Sequence, residues 1–378
     1  MNKILGCLLA FIVLFSCKNR QSEIDNGFQN ISTKYAKGFW IEKQENYRYV
    51  FVKQSDEAII QYRLVEKGSP SLSPGEKGVL TIEVPIDNIV CTSTTHIPLL
   101  DYLGESDKLI GFPSTEYISS PKTRKRIDQG FVKELGKDNS LNIELLVQLR
   151  PSLVMAYSLG SDLGHLKKIQ EVGIPVVINS EYLEQHPLGR AEWIKFMALF
   201  FGKEKEADSI FNAIESEYRI AKKMAEDLSA SSNEEKPTVL TGIPYGGTWY
   251  LPGGKNYSAR FYKDAGSQYV WADDSSSGFL QLTLETVYER ASKADYWIGV
   301  GSFESYPDLK SADDRFAKFA AWQNKKVYSY NARIGASGGN EYLELGYLRP
   351  DLILKDLIQI THPQKYPNPE LFFYKALN

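Results

Sequence analysis

The stretch that most constrains this chain runs over residues 203–229. Ala207, Ile210, Phe211, Ile214, Tyr218, Ala221, Met224, Ala225 and Leu228 recur there at three- and four-residue steps, the period of one face of an α-helix. Charged residues fill the other positions. No Pro or Gly interrupts the run, and Gly202 precedes it. At about 1.5 Å per residue such a helix would be roughly 40 Å long, more than one small domain ordinarily uses. Short apolar runs alternate with helical patterns on both sides of it. The pattern predicts a rigid strut joining two α/β lobes; the alternative is a long surface helix on a single domain.

A chain of 378 residues can bury two sizeable cores. Ahead of the strut, strands are expected at 89–91, 109–112, 153–156 and 175–178, and helices at 97–103, 142–149, 165–171 and 190–201. Repeated β-α-β order of this kind predicts a parallel sheet. A polar linker at 231–237 opens the second half. There the strands are expected at 238–241, 249–251, 269–271, 296–300 and 327–330, and the helices at 257–265, 284–290 and near 312–322. A last helix opens at Pro350, whose missing N–H has no helical partner in a first turn anyway. Upstream, 47–52, 58–64 and 79–84 read as strands, and 68–75 as a loop. The expected organisation is a signal segment (1–16), a tether and β extension (17–87), a first lobe (88–201), the interlobe helix (202–230) and a second lobe (231–378). Residues 18–37 are the polar tether.

Lys3 and an apolar run at 4–15, too short to span a bilayer comfortably, mark a targeting segment. The run ends LFSC, similar to a bacterial lipobox, which predicts acylation of Cys17. A lipid on Cys17 would hold the mature chain on a membrane surface without a spanning helix. It would also leave Cys91 without an intramolecular partner, so stability must come from packing. The net charge of −3 and the lack of a long basic run argue against a nucleic-acid partner.

The run CTSTTH at 91–96 places a hydroxyl cluster between a short strand and a helix that Gly104 can close. Turns at the carboxyl edge of a sheet are common ligand locations, although Thr94 and Thr95 could equally cap the helix. An internal echo is more telling. Asn142 and Glu144 open one helix; Thr283 and Glu285 open another in the second half. Each pair supplies an N-cap and a carboxylate that the helix dipole favours. Two equivalent Glu predict matched acidic knobs on one face. The 23 Tyr, 18 Phe and 6 Trp exceed simple core needs and suit flat contact with a bulky ligand. Of four His (His96, His165, His186 and His362), only His96 falls at a plausible lobe edge. A bare metal ion is therefore not expected. The GASGG run at 335–339 lacks a P-loop ending, no Gly-x-Gly-x-x-Gly follows a strand, and there is no Gly-x-Ser-x-Gly elbow.

These features together resemble the substrate-binding proteins of bacterial ABC importers whose two lobes are joined by one long helix, the class III type. The resemblance rests on Cys17, IVCTSTTH at 89–96, NIE at 142–144 through SLV at 152–154, GIPVV at 173–177, the strut, and LETV at 284–287. It covers roughly 88–356 and departs at Pro151-Ser152, where an Asp usually follows the Pro. It implies an α/β fold of two lobes with mainly parallel sheets. It further implies a monomer in the cell envelope, lipid-anchored and facing the periplasm, on either membrane. The chain would capture a metal chelate (ferric siderophore, haem or corrinoid) and deliver it to an ABC permease, without cofactor or catalysis. Carried over, Glu144 and Glu285 would dock onto permease arginines. Ligand contacts would come from Thr94, Thr95, His96 and Tyr157 in the first lobe, and from Tyr245, Trp249, Tyr250, Lys255, Phe279 and Arg333 in the second. The aromatics would cover flat ligand surface and the two cations would meet its oxygens. His96 could grip a haem. The competing readings are a membrane-anchored α/β hydrolase using Asp273 and Asp274, and a surface adhesin.

Overall fold

The computed structural model describes residues 29–31, 33–44, 47–55, 58–68, 78–137, 140–157, 164–231 and 235–378. Cys17 and most of the expected tether lie outside these residues. The strut is one unbroken helix, Glu204–Ser231, of 28 residues, about 42 Å at the ordinary rise. Its buried face comprises Ala207, Phe211, Ile214, Glu215, Tyr218, Ala221 and Ala225. Met224, expected on that face, is exposed and accepts a hydrogen bond from the Tyr366 hydroxyl. The helix packs on Pro187–Ala198 from the first half and on Pro350–Thr361 from the second. Each lobe therefore contributes one helix to a shared apolar spine.

Each half builds a mainly parallel five-stranded sheet. In the first, Val176–Ile178, Val154–Ala156, Ile89–Cys91, Leu109–Phe112 and Lys133–Glu134 lie side by side in that order, all parallel. In the second, Gln268–Tyr269, Thr238–Thr241, Tyr296–Ile298 and Val327–Ser329 are parallel, and Lys375–Ala376 adds an antiparallel edge. The near-continuous burial of these strands is what helices on both faces require. The helix expected near 312–322 is broken. Tyr306–Ala312 ends at Asp313, whose extended backbone and carboxylate, accepting the Arg315 N–H at 2.9 Å, start a separate 3-10 turn at Asp314–Lys318.

The N-terminal extension is a further five-stranded sheet, Gln29–Ile31, Phe39–Lys43, Tyr47–Lys53, Ile59–Glu66 and Leu80–Val84. The tether reading fails over its last residues. The backbone N–H groups of Lys34, Tyr35 and Ala36 all donate to the Glu192 carboxylate at 3.0, 2.7 and 2.9 Å. Those of Lys37 and Gly38 donate to Glu184. Polar character, read as solvation, here marks a segment whose backbone is bound by buried acids. A Cβ on Gly38 would lie 2.8 Å from the Trp193 ring, so this close approach requires glycine.

The same device closes the lobes on each other. Glu344, from the second half, accepts the N–H groups of Ser119 and Ser120 at 2.6 and 2.9 Å. Asp356 accepts those of Phe372, Phe373 and Tyr374, holding the C-terminal edge strand. Burial raises the Glu344 carboxyl to about 7, against the lowering effect of the two N–H donors.

Two outcomes follow. Glu192→Ala strands three backbone donors in the interior, which should cost roughly 3–5 kcal/mol in urea unfolding, with Glu192→Gln milder. For Glu344, a raised folded-state pKa means a stabilising contribution complete below about 4.5 and lost as pH rises through about 7. Glu344→Gln lacks that titration. The variant's thermal midpoint should gain on wild type between pH 5 and pH 8; a constant difference would contradict the assignment.

Candidate functional site

In both parallel sheets the strands end toward loops that meet across the molecule. The loop after Leu109–Phe112 carries Tyr117 and Ser119; the loop after Val327–Ser329 carries Gly335 and Gly339. A Cβ on Gly339 would sit 2.2 Å from the Tyr117 carbonyl oxygen, and one on Gly335 would sit 2.7 Å from Ser119 Cα. The lobes thus touch backbone to backbone, with Glu344 behind the contact. Deeper in, the Arg190 guanidinium lies 3.3 Å from the Tyr257 ring centre and 4.3 Å from that of Tyr347. This is a desolvated cation–π clamp between the halves. Loops that follow the strands of the two sheets therefore meet between the lobes, the usual ligand position in open α/β sheets.

On the first lobe, Thr94 and Thr95 are half-buried at the cleft edge. Neither is a side-chain cap of helix His96–Leu103. Thr95 Oγ1 donates to Glu181 Oε1 at 2.5 Å, so this hydroxyl is committed. His96 corrects the sequence expectation. It is fully buried, and burial depresses its pKa to about 3. A ring so enclosed presents no nitrogen to a haem in the cleft. Its Nε2 lies 4.0 Å from Glu181 Oε2, whose carboxyl burial raises to about 7. Burial disfavours the charged form of both groups, and with an uncharged imidazole this contact is not an ion pair. Tyr157 stands half-buried at the end of Val154–Ala156, its N–H donating to Thr92 Oγ1.

On the second lobe, the predicted aromatics fall on a small antiparallel sheet of Pro244–Tyr245, Thr248–Pro252 and Phe279–Leu282. Its register pairs Tyr245 with Thr248, Tyr250 with Gln281 and Pro252 with Phe279. Because side chains alternate across a strand, Tyr245, Tyr250 and Phe279 share one face, 82%, 44% and 62% exposed. Trp249, one residue from Tyr250, must take the other face. It is fully buried against Trp297, Phe316 and Phe319, with Nε1–H donating to the Thr241 carbonyl. Trp249 is a core residue and cannot contact a ligand.

Arg333 is exposed but engaged, with Nε 2.6 Å from Glu341 Oε2 and its guanidinium 4.4 Å from the Phe372 ring. Lys255 is exposed and lines a groove bordered by the N-terminal extension. Asp273 pairs with Arg290, and Asp274 accepts the Ser276 N–H. Both stabilise a loop. Glu144 and Glu285 are exposed in the first turns of helices Ile143–Leu149 and Leu284–Ala291, capped by Asn142 and Thr283. Glu285 Oε1 is 2.7 Å from Arg315, whereas Glu144 has no ion pair among the described residues. Tyr117, Glu181, Arg190, Tyr257, Tyr347 and Glu344 were not legible as site residues. Their neighbours lie far away in the chain, and no local motif marks them.

The family model for periplasmic binding proteins matches residues 89–334. An uncharacterized lipoprotein of Methanocaldococcus jannaschii is 27% identical over 310 residues, 79% of this chain and 70% of its own length. An uncharacterized ABC transporter substrate-binding lipoprotein of Bacillus subtilis is 21% identical, covering 55% of this chain and 62% of that protein. Among solved structures, a periplasmic haem-binding protein of Pseudomonas aeruginosa superposes with a TM-score of 0.58 at 16% identity, covering 78% of this chain and 98% of that one. A molybdate-binding protein of Haemophilus influenzae gives 0.55 at 22% identity, covering 77% and 90%. With well over half of its length matched by that model, this two-lobed chain belongs to the periplasmic binding protein family.

Proposed function

We propose that the chain is an extracytoplasmic, lipid-anchored substrate-binding protein that takes a metal chelate into the interlobe cleft and hands it to an ABC importer permease. The family is one of solute-binding proteins, so catalysis by Asp273 and Asp274 drops out. The observation that carries the ligand class is the aromatic face of Tyr245, Tyr250 and Phe279, large apolar rings left in solvent on one side of a small sheet. Exposed clusters of that kind mark a binding surface. Flat rings suit a macrocycle or an aromatic chelate more than a bare ion. Haem-binding proteins among the structural neighbours agree with this class.

Delivery is assigned to Glu144 and Glu285. Each is held at a helix start by a side-chain cap, and the caps fix where the two carboxylates stand. Two carboxylates meeting guanidinium groups would set register and orientation. Glu285 already pairs with Arg315, so docking at that end is an exchange of partners. Cys17, outside the described residues, would carry the anchor. The M. jannaschii and B. subtilis relatives bear the word lipoprotein in their names.

Titration of the mature protein with haem, a ferric hydroxamate chelate and a corrinoid, followed by Trp fluorescence, should give saturable quenching with one of them. Tyr250→Ala with Phe279→Ala should weaken that binding roughly 10- to 100-fold, the worth of two apolar contacts. Turnover of the probe, or equal affinity in the double variant, would refute the reading. Glu144→Ala with Glu285→Ala should abolish most transport in whole cells while leaving ligand affinity intact. Intact uptake would remove the docking role.

A further inference from the structure

A hollow lies beside the N-terminal extension. It is a groove of about 1170 Å³ between the N-terminal extension, the segment around Glu184, and the outer edge of the second lobe's sheet at Gln268–Tyr269. One wall comes from residues between Lys34 and Ser55. That wall lies outside the 89–334 span that the family model matches.

Its charge is one-sided. Six lysines and Arg260 line it, against the single carboxylate of Glu184. That carboxylate is turned to the interior, where it accepts the N–H groups of Lys37 and Gly38 and the Trp193 indole. Lys34 pairs with Glu215, and Arg260 with Asp264. Lys37, Lys236, Lys255 and Lys263 meet no carboxylate among the described residues, although all four are exposed. Holding so many like charges around one concavity raises the local positive potential, which low-dielectric walls concentrate.

A second, independent feature points the same way. Ser267 lines the groove, is 5% exposed, and its hydroxyl has no hydrogen-bond partner among the described residues. A buried hydroxyl left unmatched costs free energy, and turning it toward the groove would let a ligand oxygen accept from it. Ammonium groups are compact point charges that accept oxyanions in many geometries. Separated lysines with a hydroxyl donor between them suit an anion whose charge is spread over several tetrahedral oxyanions.

We infer that this groove, walled by the N-terminal extension and by both lobes, is an anion-binding site that takes a phosphate-bearing polyanion. The polyanion is either a soluble polyphosphate or the phosphate headgroups of a membrane surface. The site does not depend on what the cleft binds. The rim also holds Lys34, which begins the clasped segment after the tether.

The test uses the full mature protein and two probes: inorganic tripolyphosphate by calorimetry, and sedimentation with phosphatidylglycerol or phosphatidylcholine vesicles, the latter with a Cys17→Ser protein lacking any lipid. Binding of tripolyphosphate, or of phosphatidylglycerol vesicles alone, supports the site and tells the two sources apart. Lys37→Glu with Lys263→Glu should weaken the binding at least about tenfold, whereas Lys122→Glu with Lys125→Glu, on the exposed helix Pro121–Asp128, should leave it within about twofold. Ser267→Ala should weaken binding severalfold without lowering the thermal midpoint of the free protein, a result that a purely structural serine would not give. No binding of either probe, or equal losses in the two charge-reversal pairs, would overturn the inference. Chelate binding in the cleft is measured separately and stands or falls on Tyr250 and Phe279.

Discussion

Buried carboxylates that capture runs of backbone N–H hold this molecule in its shape. Glu192 and Glu184 take five consecutive N–H groups from residues 34–38, Glu344 takes two from the opposite lobe, and Asp356 takes three from the C-terminal edge. Each acid sits on a helix or helix-flanking turn and reaches a segment with no regular structure of its own. An irregular segment cannot bury its amide groups unless something accepts from them. A carboxylate with two oxygens answers two or three donors at once, and the charge makes each bond stronger. The extension, the lobe contact and the last strand all depend on this one interaction.

The same physics explains why the polar interior behaves differently at different places. Glu184 and Glu344 have their oxygens occupied by backbone donors, and burial still raises both carboxyls. Glu181, with one oxygen unpartnered near His96, is likewise raised, while His96 is driven down. At Glu181 and His96 burial works against the charged form of each group. The exposed charge lies elsewhere, on Glu144, Glu285 and the groove lysines Lys37, Lys255 and Lys263. Exposed rings gather on one small sheet of the second lobe, and exposed ions stand on helix starts and along the groove.

Spine and sheets were readable because periodicity is a local property. The three- and four-residue spacing of Ala207, Phe211, Ile214, Tyr218, Ala221 and Ala225 corresponds to the buried face of one helix. The strands at Ile89–Cys91, Val154–Ala156 and Val176–Ile178 stand out as short apolar runs. The alternation that separates Trp249 from Tyr250 was also present, but nothing along the chain says which face of a lone short strand is inward. Only its pairing with Phe279–Leu282 and the packing of Trp249 on Trp297 decided that. His96 misled for a similar reason: a histidine after a strand looks the same whether it opens to the cleft or turns beneath it.

By itself the order of residues determined the helix that spans the molecule, the class of both sheets, the capped starts that carry Glu144 and Glu285, and the family. All of these arise from neighbours within a few positions, where propensity, capping and period act. Tertiary structure alone decided that residues 34–38 are clasped, that Arg190 sits between Tyr257 and Tyr347, that the lobes touch at Gly335 and Gly339, and that lysines from distant segments surround one groove. Those contacts join residues tens to hundreds of positions apart. Their energy comes from burial and charge compensation that exist only once the chain has closed on itself.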